Sequence, residues 1–384
     1  NDNINMQRGR YNKHKEKVAL AKIAWEKKQS KLPVADRKPF VDNHTTVGDT
    51  TLHIFDGDLG RRAILALRQN LISKIHEHDN TNIFKHFKDL EGDKKPKPLY
   101  STKVKMVWDD DYFYFGAELI EPHIWATLKN HDDIVLYNND FEIFIDPDGD
   151  THEYCEIEMN AFETVWDLIL TKPYRDKAKV INSWHIYGMK KAVKVYGTIN
   201  DPSDLDEKWT LEIAIPWKVM EELASHGGAP VNGEQWRVNF LRVNWQPDFS
   251  DGTYKYKINP ETNKRYNNYN WIWTVSGNSG CHAPELWSFV QFSDLKPGTD
   301  KFKDNPNDEV KWALRQIYYR QRAFMKEHNE YASNTAQLKT DDLSVDGIDF
   351  KPEISMMNGR WEAKQTGFDG KTVFIRWDGK VWLE

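Results

Sequence analysis

The chain has 384 residues, with 53 basic and 59 acidic side chains and a formal net charge of −6. This length predicts two or three structural units, and the mild acidity gives no electrostatic reason for a nucleic-acid partner. No run of about 18 apolar residues is present, so no transmembrane segment is expected, and two cysteines, Cys155 and Cys281, exclude a disulfide-stapled scaffold or a tetrahedral cysteine zinc site.

The opening Asn1-Asp2-Asn3-Ile4-Asn5 lacks the makeup of a signal peptide and is compatible with the start of a processed chain. Residues 11–31 read as one helix, with Val18, Leu20, Ala21, Ile23, Ala24 and Trp25 as its apolar stripe and Pro33 and Pro39 beyond its end. Between Asp42 and His86 the signal is mixed, a strand over 50–55 and helical spacing over 63–76. The stretch 92–98 is a polar linker.

Beyond the linker the period changes to two. Residues 103–108 alternate, Asp109-Asp110-Asp111 makes a turn, and 112–119 returns as a hairpin partner. Residues 141–145 form a third strand. Tyr154 to Asn160 alternates strictly, with Glu156, Glu158 and Asn160 on one face and Cys155, Ile157 and Met159 on the other. Cys155 therefore reads as a core thiol rather than as the disulfide partner of Cys281. Further strands are expected at 164–170, 192–195, 209–215, 236–243 and 286–292, a pattern of many short strands that indicates an all-β sandwich, jelly-roll or immunoglobulin-like. A helix follows over 307–331, capped by Asn307 or Asp308. Three short strands (354–357, 361–364, 372–377), with hairpin turns at Asp369-Gly370 and Asp378-Gly379, complete a tail too small to fold alone. The expected organisation is an N-terminal helical or irregular extension (1–90), a sandwich (91–298), and a C-terminal helix with a small β unit (299–384).

The compositional anomaly is aromatic: 16 Trp, 16 Tyr and 18 Phe. Such rings suit stacking on the C–H faces of sugars, although a sandwich core absorbs many of them. Four strings then acquire meaning together: Lys103 to Phe115, Asn139 to Asp146, Trp209 to Trp217, and Pro284 to Phe292. In order and spacing they resemble family 9 carbohydrate-binding modules, and more narrowly the family 9-like (DOMON-like) secreted proteins of Bacteroidetes.

The resemblance implies a non-catalytic sandwich that binds sugar between two Trp rings, with Glu, Arg and Asn side chains on the hydroxyls. Glu142 stands at the acidic position and Asn160 at the amide position. The ring positions fall near Leu136 or Tyr137 and near Cys281 or His282, and the Arg position holds Glu158. Stacking would then pass to other rings, among them Trp125, Trp166, Trp271 and Trp273. Lys172, Arg175 and Asp176, with Tyr174, form a charged turn that is a candidate rim. Related sandwiches also hold haem b through Met, His or Lys, for which Met106, Met159 and Met189 are available.

The candidate ligand-binding set is accordingly Glu142, Glu158, Asn160, Trp166, Arg242, Trp271 and His282, with Arg242 expected on the same face as the carboxylates and Trp271 expected to be exposed. A solvated sheet face with an ion pair is the plainer reading of the charged members. Asp146, Asp148 and Asp150 are candidate calcium ligands, since they present carboxylates at alternate positions, although the flanking helices and downstream Glu of an EF-hand are missing and a hairpin turn serves as well. Paired carboxylates also occur in glycosidases, but no Gly-x-Ser-x-Gly elbow, phosphate loop or His-Glu-x-x-His helix is present. The expected protein is a secreted, periplasmic or cell-surface glycan binder of a polysaccharide-utilisation apparatus. The alternative is an assembly subunit of a surface complex that keeps the fold without the sugar site.

Overall fold

The computed structural model describes residues 98–225, 227–274, 281–295 and 299–384. The helix expected over 11–31, the mixed region to 86 and the linker as far as 97 lie outside the described residues. In chain order the strands are β1 (Thr102–Trp108), β2 (Tyr112–Ile120), β3 (Asp140–Asp146), β4 (Tyr154–Asn160), β5 (Val165–Leu170), β6 (Val180–Ile181), β7 (Lys190–Tyr196) and β8 (Lys208–Pro216). A single-turn helix α1 (Trp217–Met220) precedes β9 (Gln235–Asn244), the two-residue strands β10 (Pro247–Asp248), β11 (Lys255–Tyr256), β12 (Ile258–Asn259) and β13 (Lys264–Arg265), and then β14 (Tyr269–Ile272) and β15 (Ser288–Gln291). Helix α2 (Asn307–His328) and strands β16 (Glu353–Met357), β17 (Arg360–Thr366), β18 (Thr372–Arg376) and β19 (Val381–Leu383) follow.

The protein is mainly β. A four-stranded sheet ordered β1-β2-β8-β7 packs on a seven-stranded sheet ordered β14-β9-β3-β4-β5-β6, in which β15 also pairs with β9. Period-two alternation drives the layering. Phe113, Phe115, Ala117 and Leu119 of β2 and Trp209, Leu211, Ile213 and Ile215 of β8 point inward to meet Phe141, Ile143 and Ile145 of β3, Ile157 and Met159 of β4, and Trp236, Val238 and Phe240 of β9. Each such fully buried large side chain contributes about 1.5–3 kcal/mol. At one end Trp108, Phe113, Trp217, Trp236 and Phe292 interlock with centroids 5.0 to 6.3 Å apart, so part of the tryptophan surplus is core. Met106, Met159 and Met189 pack there as well.

Every residue of β3 and β4 is buried. One face of these strands is covered by the first sheet. The other carries a second apolar cluster of Trp125, Phe144, Tyr154, Leu168, Leu170, Leu241, Val243, Trp245 and Trp287. This outer face positions the site.

The C-terminal unit forms its own core, in which Val310, Leu314, Ile317 and Tyr318 of α2 meet Trp361, Ala363, Val373 and Ile375 of its four-stranded sheet. The helix ends at His328, three residues before Tyr331, because Asn329 takes a left-handed conformation (φ 57°) and its N–H caps Met325. Pro306, not Asn307 or Asp308, holds the N-cap position; Asn307 Oδ1 instead accepts from the Phe368 amide at 2.9 Å. The tip at Gly379 is fastened to the sandwich, its carbonyl accepting from Thr151 Oγ1 at 3.0 Å while the Val381 amide donates to Asp150 O at 3.1 Å.

Candidate functional site

On the outer face of the larger sheet, Glu142 of β3 and Glu158 of β4 are register partners, and Trp166 of β5 is the next residue across. The i, i+2 rule places Glu156 beside Glu158 on the same face. These three side chains are nearly inaccessible to solvent. Desolvation raises the Glu142 carboxyl well above the usual range, reinforced by Asp140, Glu158 and Glu156. Burial likewise lifts Glu156, with Glu158 adding to it, and holds Glu158 at about 8 although it accepts from the Leu136 amide at 2.8 Å. Among the described residues no lysine or arginine offsets these carboxyls, and Glu142 and Glu156 accept no hydrogen bond from them. Buried polar groups are otherwise nearly always paired.

Aromatic and polarizable groups wall this acidic floor. Tyr174, half exposed, meets the His282 ring edge-on at 4.6 Å, and Phe144 packs on the other side of that imidazole at 5.5 Å. The Tyr154 hydroxyl lies 3.1 Å from His282 Nδ1. Burial lowers the imidazole to about 4, so it is neutral at physiological pH. Burial and then Glu142 raise the Cys281 thiol well above its ordinary value. Trp166 and Leu136 pack as half-buried members of the same cluster. The result is an acidic floor nearly closed to solvent, with ring faces beside it.

Glu142, Glu158, Trp166 and His282 are thus brought together, and three other expected members are not. Asn160 is fully engaged within the protein. Its Nδ2 donates to Leu128 O at 2.9 Å and Asn138 Oδ1 at 3.1 Å, and its Oδ1 accepts from the Phe162 and Thr164 amides at 2.9 and 3.1 Å, which exhausts an amide's bonding capacity. Arg242 belongs to the opposite face, in register with Phe141, because it is the residue next to Leu241, the partner of Glu142. There it pairs with Glu121 at 2.8 Å and donates to Ile120 O and Thr102 Oγ1, clasping the two sheets. Trp271 pairs with Arg242 in register, is half-buried rather than exposed, and stacks on Tyr269 at 5.6 Å.

Asp146, Asp148 and Asp150 each bring a carboxylate oxygen within 4.8 Å of the others. Their oxygens serve the turn itself: Asp146 accepts from the Gly149 and Thr151 amides and Asp150 from that of His152. Lys380 reaches Asp150 at 2.7 Å, and Arg237 lies against Gly149, so two cations already face three carboxylates. Arg175 of the charged turn pairs with buried Glu285 at 2.8 Å, which locks that turn to the strand-leading loop.

Sequence reading passed over Glu156 and Tyr154 as site members, although both share the parity of Glu158. Two cavities lie elsewhere, one of about 230 Å³ beside Tyr100, Glu121, Trp245 and Tyr269, the other of about 350 Å³ beside Lys172, Lys179, Arg376 and Lys380.

A family model described as carbohydrate family 9 binding domain-like matches residues 76–270. No curated protein matches the chain. Among solved structures the chain is similar to a family 9 carbohydrate-binding module from Caldicellulosiruptor kristjanssonii in complex with cellotriose, at 14% identity over 55% of this chain and 84% of that one, with a TM-score of 0.32. The same organism's module in complex with glucose aligns at 16% identity over 54% and 84%, with a TM-score of 0.31. A candidate carbohydrate-binding protein from Bacteroides uniformis aligns at 15% identity over 50% and 79%, with a TM-score of 0.36.

Proposed function

The chain belongs to the carbohydrate family 9 binding domain-like family, and on that premise we propose that it binds a glycan, without catalysis, in the outer-face recess over Glu142, Glu156 and Glu158. The supporting observation is the pair Glu142 and Glu156, buried carboxyls that take no hydrogen bond or cation from the described residues and are flanked by Trp166, Tyr174 and His282. Such carboxyls offer sugar hydroxyls both acceptors and, when protonated, donors, while the rings offer apolar faces. Near the two ring positions of the resemblance stand Leu136 or Tyr137 and Cys281 or His282; Leu136 donates its amide to Glu158 and His282 packs on Tyr174, so the ligand would stack on Trp166 and Tyr174 instead.

The setting that fits this reading is a secreted, periplasmic or cell-surface one, with the protein presenting polysaccharide to its neighbours. No helix of the described residues is long and apolar enough to cross a membrane. A glycan array followed by calorimetry on the whole chain tests the proposal. Binding of at least one neutral oligosaccharide supports it, and silence up to millimolar concentration refutes it.

A further inference from the structure

Outside the recess, three loops and strands bring two imidazoles and a carboxylate to one point. His131 lies in the segment before β3, Asp167 on β5, and His185 in the segment before β7. His131 Nε2 is 2.9 Å from His185 Nδ1, and each of these nitrogens is 3.4 Å from Asp167 Oδ1. The two histidine side chains are 42% and 36% exposed, while Asp167 is fully buried and oriented by the Ile186 amide, which donates to its other oxygen at 2.7 Å.

Protons alone do not satisfy this arrangement. If one ring N–H donates to the other nitrogen, the accepting nitrogen spends its single lone pair there and stands 3.2–3.4 Å from an Asp167 oxygen with no hydrogen between them. If both rings donate to Asp167, two N–H groups collide at 2.9 Å. A cation at the centre resolves all three contacts. Zinc bonds of about 2.0–2.1 Å in a tetrahedron place neighbouring ligands about 3.3–3.4 Å apart, close to the separations found. Imidazole nitrogen with one carboxylate also selects zinc or a neighbouring transition metal over calcium.

We propose that His131, Asp167 and His185 form a zinc site, with the fourth position taken by water or by the Asp132 carboxylate, which lies 3.3 Å from His131 Nε2. The ion would tie the segment around His131 to β5. That segment also supplies Leu128, whose carbonyl accepts from Asn160, and Leu136, whose amide caps Glu158, so the metal would hold one wall of the recess in place. The site stands apart from the carbohydrate reading and does not depend on it.

The test is calorimetry with zinc chloride on chelator-treated full chain, beside the same titration of H131A, H185A and the double variant, and visible spectroscopy with cobalt. One equivalent of zinc bound at about 10 µM or tighter, with tetrahedral cobalt bands, is expected, and the double variant should weaken binding at least a hundredfold. Because both histidines are half exposed, the variants should unfold at the wild-type temperature when metal-free, which separates lost ligation from lost fold. Zinc binding that is absent, or that survives unchanged in the double variant, overturns the proposal.

Discussion

Glu142 and Glu158 stand directly opposite one another on adjacent strands, both buried, with no basic side chain of the described residues offsetting them. Like charges in cross-strand register repel, and burial adds to that, so the pair holds protons far above the ordinary carboxylate range. The sign of the consequence is fixed. A carboxyl whose pKa is raised by folding binds more protons in the native state, so its stabilisation is lost as pH rises through the folded value. With Glu158 raised from 4.5 to about 8, thermal stability should fall between about pH 5 and pH 8 and level off beyond, and E158Q should flatten that slope. A midpoint that rises through this window contradicts the assignment.

On the acid side the sign reverses for two groups. Burial acts to raise Glu285, but Arg175 and Arg315 outweigh it and hold the carboxyl at about 2, and His282 is kept neutral down to about 4. Both contribute stability that disappears as pH falls through those values. R175A should therefore strand a buried carboxylate and cost about 3–5 kcal/mol at neutral pH, measured by urea unfolding. A loss within the range of an exposed pair would count against it.

Arg242 predicts a separation of stability from binding. Removing its guanidinium leaves Glu121 buried without its partner, at about 3–5 kcal/mol, so R242M should lower the urea midpoint sharply. Since the residue faces the inter-sheet layer, glycan affinity of the folded fraction should remain at the wild-type value. A parallel loss of affinity would mean that Arg242 reaches the ligand.

Cys155 and Cys281 are both free thiols, raised by burial. Since the thiolate is the reactive form, neither should react with a disulfide reagent at neutral pH in the native protein, and both should react once it is unfolded. Rapid labelling of the native chain would contradict the raised thiols of buried Cys155 and half-buried Cys281.

The sandwich was legible in sequence because period two marks its longer strands: β1 to β5, β8 and β9 all fall where alternation puts them. The edge strand β14 and the two-residue ladders were not, being too short to carry a period. Glu142, Glu158, Trp166 and His282 were singled out through parity and resemblance, and the structure brings them together on one face. Arg242 was misplaced because its charge suggested the polar face, whereas its register with Phe141 points it inward. His131, Asp167 and His185 escaped notice since no spacing links residues on three separate segments; the one available signal was a charged Asp167 at the parity of Val165 and Ile169.

The most direct measurement is the calorimetric affinity of the wild type and of W166A for the neutral oligosaccharide that the array identifies. If the outer-face recess is the binding site, W166A loses at least about tenfold in affinity while its urea midpoint still shows a cooperative fold. An affinity unchanged from wild type would place the sugar elsewhere and contradict the account.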